Sequence, residues 1–250
     1  MTYVMSDIHG NERRFNSVMK QINLQPEDIL YVLGDVVDRH PGGIRILRRI
    51  MSMPNAKMLL GNHEYMMLNA LSPYDEKDGK DSYHHQEAVS LWYRNSGRIT
   101  HYYFKHNTKA VRAEILDYLK ALPLSHEIEV NGIKYRLVHA APIEFYEDYV
   151  YKRDYHNAVE FAVWNRWYGH IPSIPGQILI FGHTPTIEYQ DDKLMKIWRS
   201  ESVIDIDCGS GFVDGRDQWY LVYGRLGCLR LDDMKEFYSE ENIREEDLEK

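Results

Sequence analysis

Five short apolar runs in this 250-residue chain each end on residues able to ligate a metal ion. Val4–Met5 lead into Ser6-Asp7-Ile8-His9-Gly10, and Ile29–Leu33 into Gly34-Asp35-Val36-Val37-Asp38-Arg39. Met58–Leu60 lead into Gly61-Asn62-His63-Glu64, Leu137–Val138 into His139, and Ile178–Phe181 into Gly182-His183-Thr184-Pro185. Apolar runs of this length bounded by turn residues read as buried strands. In open α/β sheets, ligands collect in the crevice beyond the strand ends. Five such ends at one edge bring Asp7, His9, Asp35, Asn62, His139 and His183 to one point. Each motif alone has a plainer explanation, such as a capping turn or a satisfied buried histidine. Their joint occurrence, in this order and always at a strand end, does not.

The length suits one large α/β domain about as well as two small ones. A formal net charge of −8 argues against a nucleic-acid footprint, which is normally basic. It does not argue against a phosphate substrate, because bound divalent ions dominate the local charge of their site. No apolar stretch approaches the ~20 residues that span a bilayer, and a strand beginning at once leaves no room for a signal peptide. The expectation is a soluble cytoplasmic protein with no membrane partner, monomeric in preference to oligomeric. Cys208 and Cys228 sit in or beside different strands and are expected as buried free thiols.

The first third alternates strand and helix. Strands are expected at Tyr3–Ser6, Ile29–Leu33 and Lys57–Leu60, with helices at Asn11–Ile22 and Gly42–Met51 between them. Such an order implies parallel pairing with right-handed crossovers. Further helices are expected at Glu64–Leu71, Glu87–Arg94 and Lys109–Leu122, with Ser72–His85 as a polar excursion. Glu127–Val130 and Ile133–Val138 flank Asn131-Gly132, a hairpin signature. Ala158–Tyr168 reads as a helix. Gln177–Phe181, Met195–Trp198, Val203–Ile206, Trp219–Tyr223 and Cys228–Leu231 read as strands of a second sheet. The expected organisation is one domain over residues 1–231 and an acidic tail over 232–250, as an exposed helix or frayed end.

The chemistry of the six convergent residues is coherent. Asp7 and His9, two apart, point the same way from an extended segment. Gly34 and Gly61 let the backbone turn closely beside Asp35 and Asn62. Carboxylate, imidazole and amide ligands without cysteine suit hard or borderline divalent ions. Two such ions roughly 3.5–4 Å apart can grip both the attacking and leaving oxygens of a phosphoryl displacement, and a shared carboxylate bridges them naturally.

These motifs, with Trp164-Asn165-Arg166 and Ile204-Asp205-Ile206-Asp207-Cys208-Gly209, resemble the phosphoprotein phosphatase branch of the metallophosphoesterases, in its bacteriophage-lambda type and bacterial relatives. The resemblance covers roughly residues 1–231. It implies an α/β fold of two mixed β-sheets packed face to face and flanked by helices. It implies two divalent metal ions per chain, Mn²⁺ first, with Fe, Zn or Ni as alternatives. Asp7, His9 and Asp35 would hold one ion; Asp35, Asn62, His139 and His183 would hold the other. His63 would protonate the leaving alkoxide, oriented by Asp38, while Arg39 and Arg166 would bind the phosphate oxygens. The implied reaction is direct in-line attack by a hydroxide held between the metals, on a phosphoprotein or small phosphoester.

Two positions depart from the family pattern. His40-Pro41 stands where Gly usually follows Asp38-Arg39, so this loop is expected to run differently, with His40 at the surface or against substrate. Leu60 replaces an Arg common in protein phosphatases. The aromatic run Trp92, Tyr93, Tyr102, Tyr103 and Phe104 is expected to pack in the core, with a substrate groove as the alternative. Tyr146, Tyr149, Tyr151 and Tyr155 could pack or bind. Two other functions share the ligand pattern: a dinucleoside polyphosphate hydrolase, whose family often lacks the carboxylate at Asp38, and a non-catalytic phosphate-binding module.

Overall fold

Strict alternation of side chains along the strands sets the layering of this chain. In the computed structural model, residues 1–71, 82–147, 149–167, 171–190, 195–212, 216–217 and 222–240 are described. Strands β1 (Thr2–Met5), β2 (Ile29–Val32) and β3 (Ala56–Met58) are linked by helices α1 (Glu12–Ile22) and α2 (Gly43–Met51). β1, β2 and β3 pair in parallel, as short βαβ crossovers dictate. After α3 (Asn62–Leu71) come α4 (Ser82–Arg94), α5 (Gly97–Lys105) and α6 (Lys109–Lys120). The hairpin β4 (Ser125–Val130) and β5 (Ile133–Val138) follows, then α7 (Tyr149–Asp154), α8 (Ala158–Trp164) and β6 (Ile178–Phe181). The remaining strands are β7 (Trp198–Arg199), β8 (Val203–Asp205), β9 (Arg216–Asp217), β10 (Val222–Tyr223), β11 (Gly227–Arg230) and β12 (Lys235–Tyr238).

Two five-stranded mixed sheets result, ordered β12-β11-β1-β2-β3 and β4-β5-β6-β8-β7, with β9 and β10 as a separate ribbon. Successive strand residues face opposite ways, and the core divides accordingly. Val4, Tyr31, Leu33, Leu137, Ile180, Ile204 and Leu229 share the cluster between the two sheets. Tyr3, Met5, Leu30 and Val32 face outward onto Phe15, Val18, Ile46 and Leu47 of α1 and α2. Leu179, Phe181 and Val138 face the opposite layer with Phe161 of α8 and Trp167. The expected sandwich of two sheets between helices is therefore present.

Several expectations need correction. The acidic end was expected to leave the domain at residue 232, yet Lys235–Tyr238 pairs antiparallel with β11 and buries Phe237 against Tyr3. Phe237 and Tyr238 supply apolar surface that the charge count hides; residues 241–250 lie outside the described set. Helix α5, to which the sequence reading assigned no element, forms within the aromatic run, where the bare Gly97 backbone lies against the Trp92 ring and a side chain there would collide with it. Helix α8 ends at Trp164, not at Tyr168: the Trp167 indole donates to the Ala140 carbonyl at 3.1 Å and its ring packs near Phe145 and Tyr151, which draws the chain off the helix axis. Of Met195–Trp198, only Trp198 is in a strand; of Trp219–Tyr223, Val222 and Tyr223 are, and 218–221 lie outside the described residues. The excursion at 72–81 also lies outside them, and α4 starts at Ser82. Cys208 and Cys228 are buried and free, as expected.

Candidate metal centre

The parallel strands of both sheets end at a common place, and the loops leaving them are laced together. Asp7, His9 and Gly10 donate their backbone N–H groups to the carbonyls of Gly34, Asp35 and Val36 at 3.2, 2.8 and 2.7 Å. Gly182 donates to the His139 carbonyl at 2.9 Å, and His183 N–H to Asp7 Oδ2 at 3.0 Å, which joins the second sheet to the first. A side chain on Gly61 would collide with Asp35 Oδ1 and its backbone nitrogen, so this close crossing requires glycine.

These loops hold an unusual backbone. Asp7, His9, Asp35, Asp38, Arg39 and His183 all have positive φ, between 50° and 70°. For residues with a Cβ this left-handed region is sparsely populated and persists only when the surroundings enforce it. Glu64 is one enforcer. Its Oε2 accepts from the backbone N–H of Asp35 (2.8 Å) and Gly61 (3.2 Å), and its Oε1 from Val36 (2.9 Å) and Val37 (3.1 Å). Burial raises the pKa of the Glu64 carboxyl, opposed by these backbone bonds. Arg14, fully buried on α1, likewise donates to the Ser210 carbonyl at 2.8 Å and steadies the loop after Asp207. Neither residue stood out in the sequence as part of the site; a buried charge in an otherwise amphipathic helix was the available signal for Arg14.

All six residues expected as ligands are buried and gathered here. Two groups have donor atoms within 4.8 Å of one another: His9, Asp35 and His63, and Asp35, His139 and His183. Asp35 belongs to both. Each ring expected as a ligand has one nitrogen committed to a backbone carbonyl. His9 Nδ1 donates to Val37 (3.2 Å), His139 Nδ1 to Leu33 (2.8 Å) and His183 Nε2 to Trp164 (3.1 Å). That leaves three nitrogen lone pairs directed inward. His9 Nε2 faces Asp7 Oδ1 at 3.8 Å and Asp35 Oδ2 at 3.7 Å. His139 Nε2 faces Asn62 Oδ1 at 3.0 Å and Asp35 Oδ1 at 3.5 Å, and His183 Nδ1 faces the same Asn62 oxygen at 3.0 Å. Acceptors converge on acceptors, an arrangement that cations complete. Desolvation pushes the pKa of His9 and His183 well below the ordinary imidazole value and that of His139 below it, which keeps the rings in the neutral, ligating form. Burial, reinforced by Asp7 and Glu64, pushes Asp35 well above the usual carboxylate range. Asp205 and Asp207, buried beside them, are raised too, Asp207 to about 8. So much buried negative charge requires positive counter-charge. The residues present fit a pair of divalent ions.

His63 is held differently. Its Nδ1 meets Asp38 Oδ2 at 2.7 Å, and the same oxygen accepts the Trp92 indole N–H at 2.9 Å. Thr100 Oγ1 of α5 accepts the Asp38 N–H at 2.8 Å. The ring's Nε2 is left at the edge of the centre, 3.9 Å from Asp35 Oδ2. Trp92, expected as core packing, is fully buried but also orients this pair. Arg39, half-buried, lies against Gly211 and the His9 ring, and its charge lowers His9. Arg166, half-buried in the extended segment past α8, acts on His139, His183, Asp205 and Asp207. Tyr146, Tyr151 and Tyr155 pack on Phe161, with ring centroids 5.9, 4.7 and 5.5 Å away. His40 is half-buried, its N–H on the carbonyls of Asp38 (2.8 Å) and His9 (3.1 Å). Leu60 is buried, with its N–H on the Pro123 carbonyl.

Comparison with known proteins gives the family of the chain. The sequence profile of the calcineurin-like phosphoesterases matches residues 2–247. Serine/threonine-protein phosphatase 2 of Salmonella typhimurium is 29% identical over 192 residues, covering 72% of this chain and 78% of that relative. The symmetrical bis(5'-nucleosyl)-tetraphosphatase of Proteus mirabilis is 33% identical over 82 residues, covering 32% of this chain and 30% of that relative. A crystal structure provisionally described as a diadenosine tetraphosphatase superposes over 97% of this chain and 94% of its own, with a TM-score of 0.57 at 16% identity, a likeness of fold. The chain belongs to the calcineurin-like phosphoesterase family and is a metal-dependent phosphoester hydrolase.

Proposed function

We propose that this chain is a phosphoprotein phosphatase, acting on phosphoserine and phosphothreonine with dual specificity toward phosphotyrosine, and that it uses two divalent ions, Mn²⁺ first. The observation that carries this reading is the buried His63–Asp38 pair with Trp92 on the same carboxylate oxygen. A serine or threonine alkoxide is a poor leaving group, and a fixed proton donor is what its departure needs. Phosphoanhydride cleavage expels a phosphate that needs far less protonation. The matched length of the Salmonella phosphatase supports the same choice.

When bound, the two ions neutralise phosphoryl charge and lower the pKa of a coordinated water from ~15.7 to ~7. The chain's own residues do the rest. Asp7, His9 and Asp35 would hold one ion, and Asp35, Asn62, His139 and His183 would hold the other. Asp35 would serve both ions, since among the described residues it alone lies in both donor groups. Arg39, beside His9, and Arg166, beside His139 and His183, would bind the non-bridging phosphate oxygens, bidentately where geometry allows. His63 delivers a proton from Nε2 to the leaving oxygen. Asp38 fixes the ring with Nδ1–H turned outward, and Trp92 keeps Asp38 from rotating.

The test is turnover of a phosphoserine peptide, diadenosine tetraphosphate and p-nitrophenyl phosphate side by side by metal-loaded protein. The peptide is expected to show the highest kcat/KM of the two biological substrates. A preference for diadenosine tetraphosphate would transfer the assignment to dinucleoside polyphosphates. Binding of phosphate without turnover of any of the three would leave only a phosphate-binding module.

A further inference from the structure

Helices α4 and α5 do more than clamp Asp38. Their outer faces enclose a groove of about 520 Å³ lined by His85, Val89, Ser90, Tyr93, Arg94 and Arg98. Residues 85, 89 and 93, with 90 and 94 beside them, recur at helical spacing and form one stripe of α4. Arg98 enters from α5 after the tight elbow at Ser96, whose φ is 70°.

The groove is cationic and unsatisfied. Arg94 and Arg98 are exposed, and neither makes an ion pair with an acidic group among the described residues. Arg98 lies over the Tyr93 ring, 4.5 Å from its centroid, which fixes the guanidinium plane. Tyr93 is itself fixed: its hydroxyl meets His101 Nδ1 at 2.5 Å, and the Trp92 and His101 rings lie 6.0 and 5.7 Å away. Acidic residues outnumber basic ones, 38 to 30, in this chain. Arg94 and Arg98 thus form a local pair of positive charges on the wall of the groove, in a chain whose net charge is negative. Because Arg98 already covers the aromatic floor, the groove offers no free face for stacking a nucleobase. What it offers is a pair of guanidinium forks, matched to carboxylates.

Its place on the molecule links it to the reaction. Trp92, bonded to Asp38, and Tyr93, the groove's floor, are consecutive residues, about 3.8 Å apart at Cα. The two helices that wall the groove are also the two that hold Asp38, through Trp92 Nε1 of α4 and Thr100 Oγ1 of α5, so the groove and the His63 pair are built on the same elements. We propose that the α4–α5 groove is a specificity subsite in which Arg94 and Arg98 bind an Asp or Glu side chain flanking the phosphorylated residue. This rests on the phosphoprotein reading above.

The experiment compares two phosphoserine peptides, one flanked on both sides by Asp and its twin with Asn, on wild type and on R94Q/R98Q. Wild type is expected to favour the Asp peptide by about 3- to 10-fold in kcat/KM, mostly through KM, as solvent-exposed ion pairs allow. R94Q/R98Q should lose that preference while p-nitrophenyl phosphate kinetics stay unchanged. R94E/R98E should prefer a Lys-flanked peptide. Equal wild-type kinetics on the Asp and Asn peptides would overturn the subsite and leave the phosphatase reading intact. A fall in p-nitrophenyl phosphate turnover in R94Q/R98Q would assign the arginines to helix packing instead. A raised KM for diadenosine tetraphosphate alone would make the groove a polyphosphate site and overturn the peptide subsite. Failure of wild type to hydrolyse either peptide would overturn the phosphatase reading and this inference together.

Discussion

At the scale of residues, His63 and Arg166 carry the chemistry that follows phosphate binding. His63 should be separable from the metals, because its Nδ1 is on Asp38 and its Nε2 is 3.9 Å from Asp35. His63→Asn is expected to retain metal while losing about 10²–10⁴ in kcat on a phosphoserine peptide, the usual contribution of a positioned acid. The loss should shrink on p-nitrophenyl phosphate, whose leaving group needs little protonation; equal losses on both substrates would contradict the acid role. Arg166→Ala should lower kcat/KM by roughly 10–10³, about 1.4–4 kcal/mol of transition-state stabilisation, and weaken inhibition by inorganic phosphate. Arg166→Lys should recover only part, since an ammonium cannot bind bidentately. Unchanged kinetics and phosphate inhibition in Arg166→Ala would make it a surface charge. The six ligand candidates were legible in the sequence because each follows an apolar run, and the strand period places such residues at one edge. Trp92 was not legible: an indole in an aromatic-rich helix looks like core, and only the fold turns its N–H onto Asp38.

At the scale of elements, the loop after β2 is the part that must be held against its own preferences. Asp35, Asp38 and Arg39 take positive φ within five residues, and Glu64 at the start of α3 accepts three N–H groups from that loop and one from Gly61. A glutamine could accept only half of them. Glu64→Gln is expected to destabilise the fold by about 1–3 kcal/mol for each stranded N–H and to weaken metal binding, although Glu64 is not expected to touch an ion. An unchanged denaturation midpoint together with unchanged metal content would remove Glu64 from this role. The strands and crossover helices of the first sheet could be read from periodicity. The ends of α8 and the existence of α5 could not, because tertiary contacts decide them: the Trp167 indole on Ala140, and the Gly97 backbone against the Trp92 ring. β12 escaped for a related reason, since its two aromatic residues sit inside an acidic segment and pair only once β11 is in place.

The whole molecule buries several acidic groups where the loops of its two sheets meet, and its stability should report that. Asp207 is raised to about 8, and Asp35 and Asp205 are raised as well, all chiefly by burial. Without metal, the folded state therefore holds protons that the unfolded chain has already released. Stability then falls as pH rises from the unfolded carboxylate value toward the folded one. The lowered His9 and His183 work in the opposite sense, but their contribution is complete once pH exceeds the unfolded value near 6.5. Between about pH 7 and 8 the carboxyls alone act. The metal-free protein should lose thermal stability across that interval, on the order of 1 kcal/mol from Asp207, and divalent ions should flatten the slope. A metal-free melting temperature that rises from pH 7 to 8 would contradict the burial of uncompensated acid.

The central claim is that two ions share Asp35 and are needed for turnover. The direct measurement is metal content per chain alongside p-nitrophenyl phosphate turnover, for wild type and Asp35→Asn, after stripping with chelator and reloading with Mn²⁺. An amide cannot bridge two cations as a carboxylate does. The account predicts no turnover in stripped wild type, two ions and restored turnover after reloading, and at most one ion with little turnover in Asp35→Asn. Full turnover by verified metal-free protein, or two tightly held ions in Asp35→Asn, would contradict it.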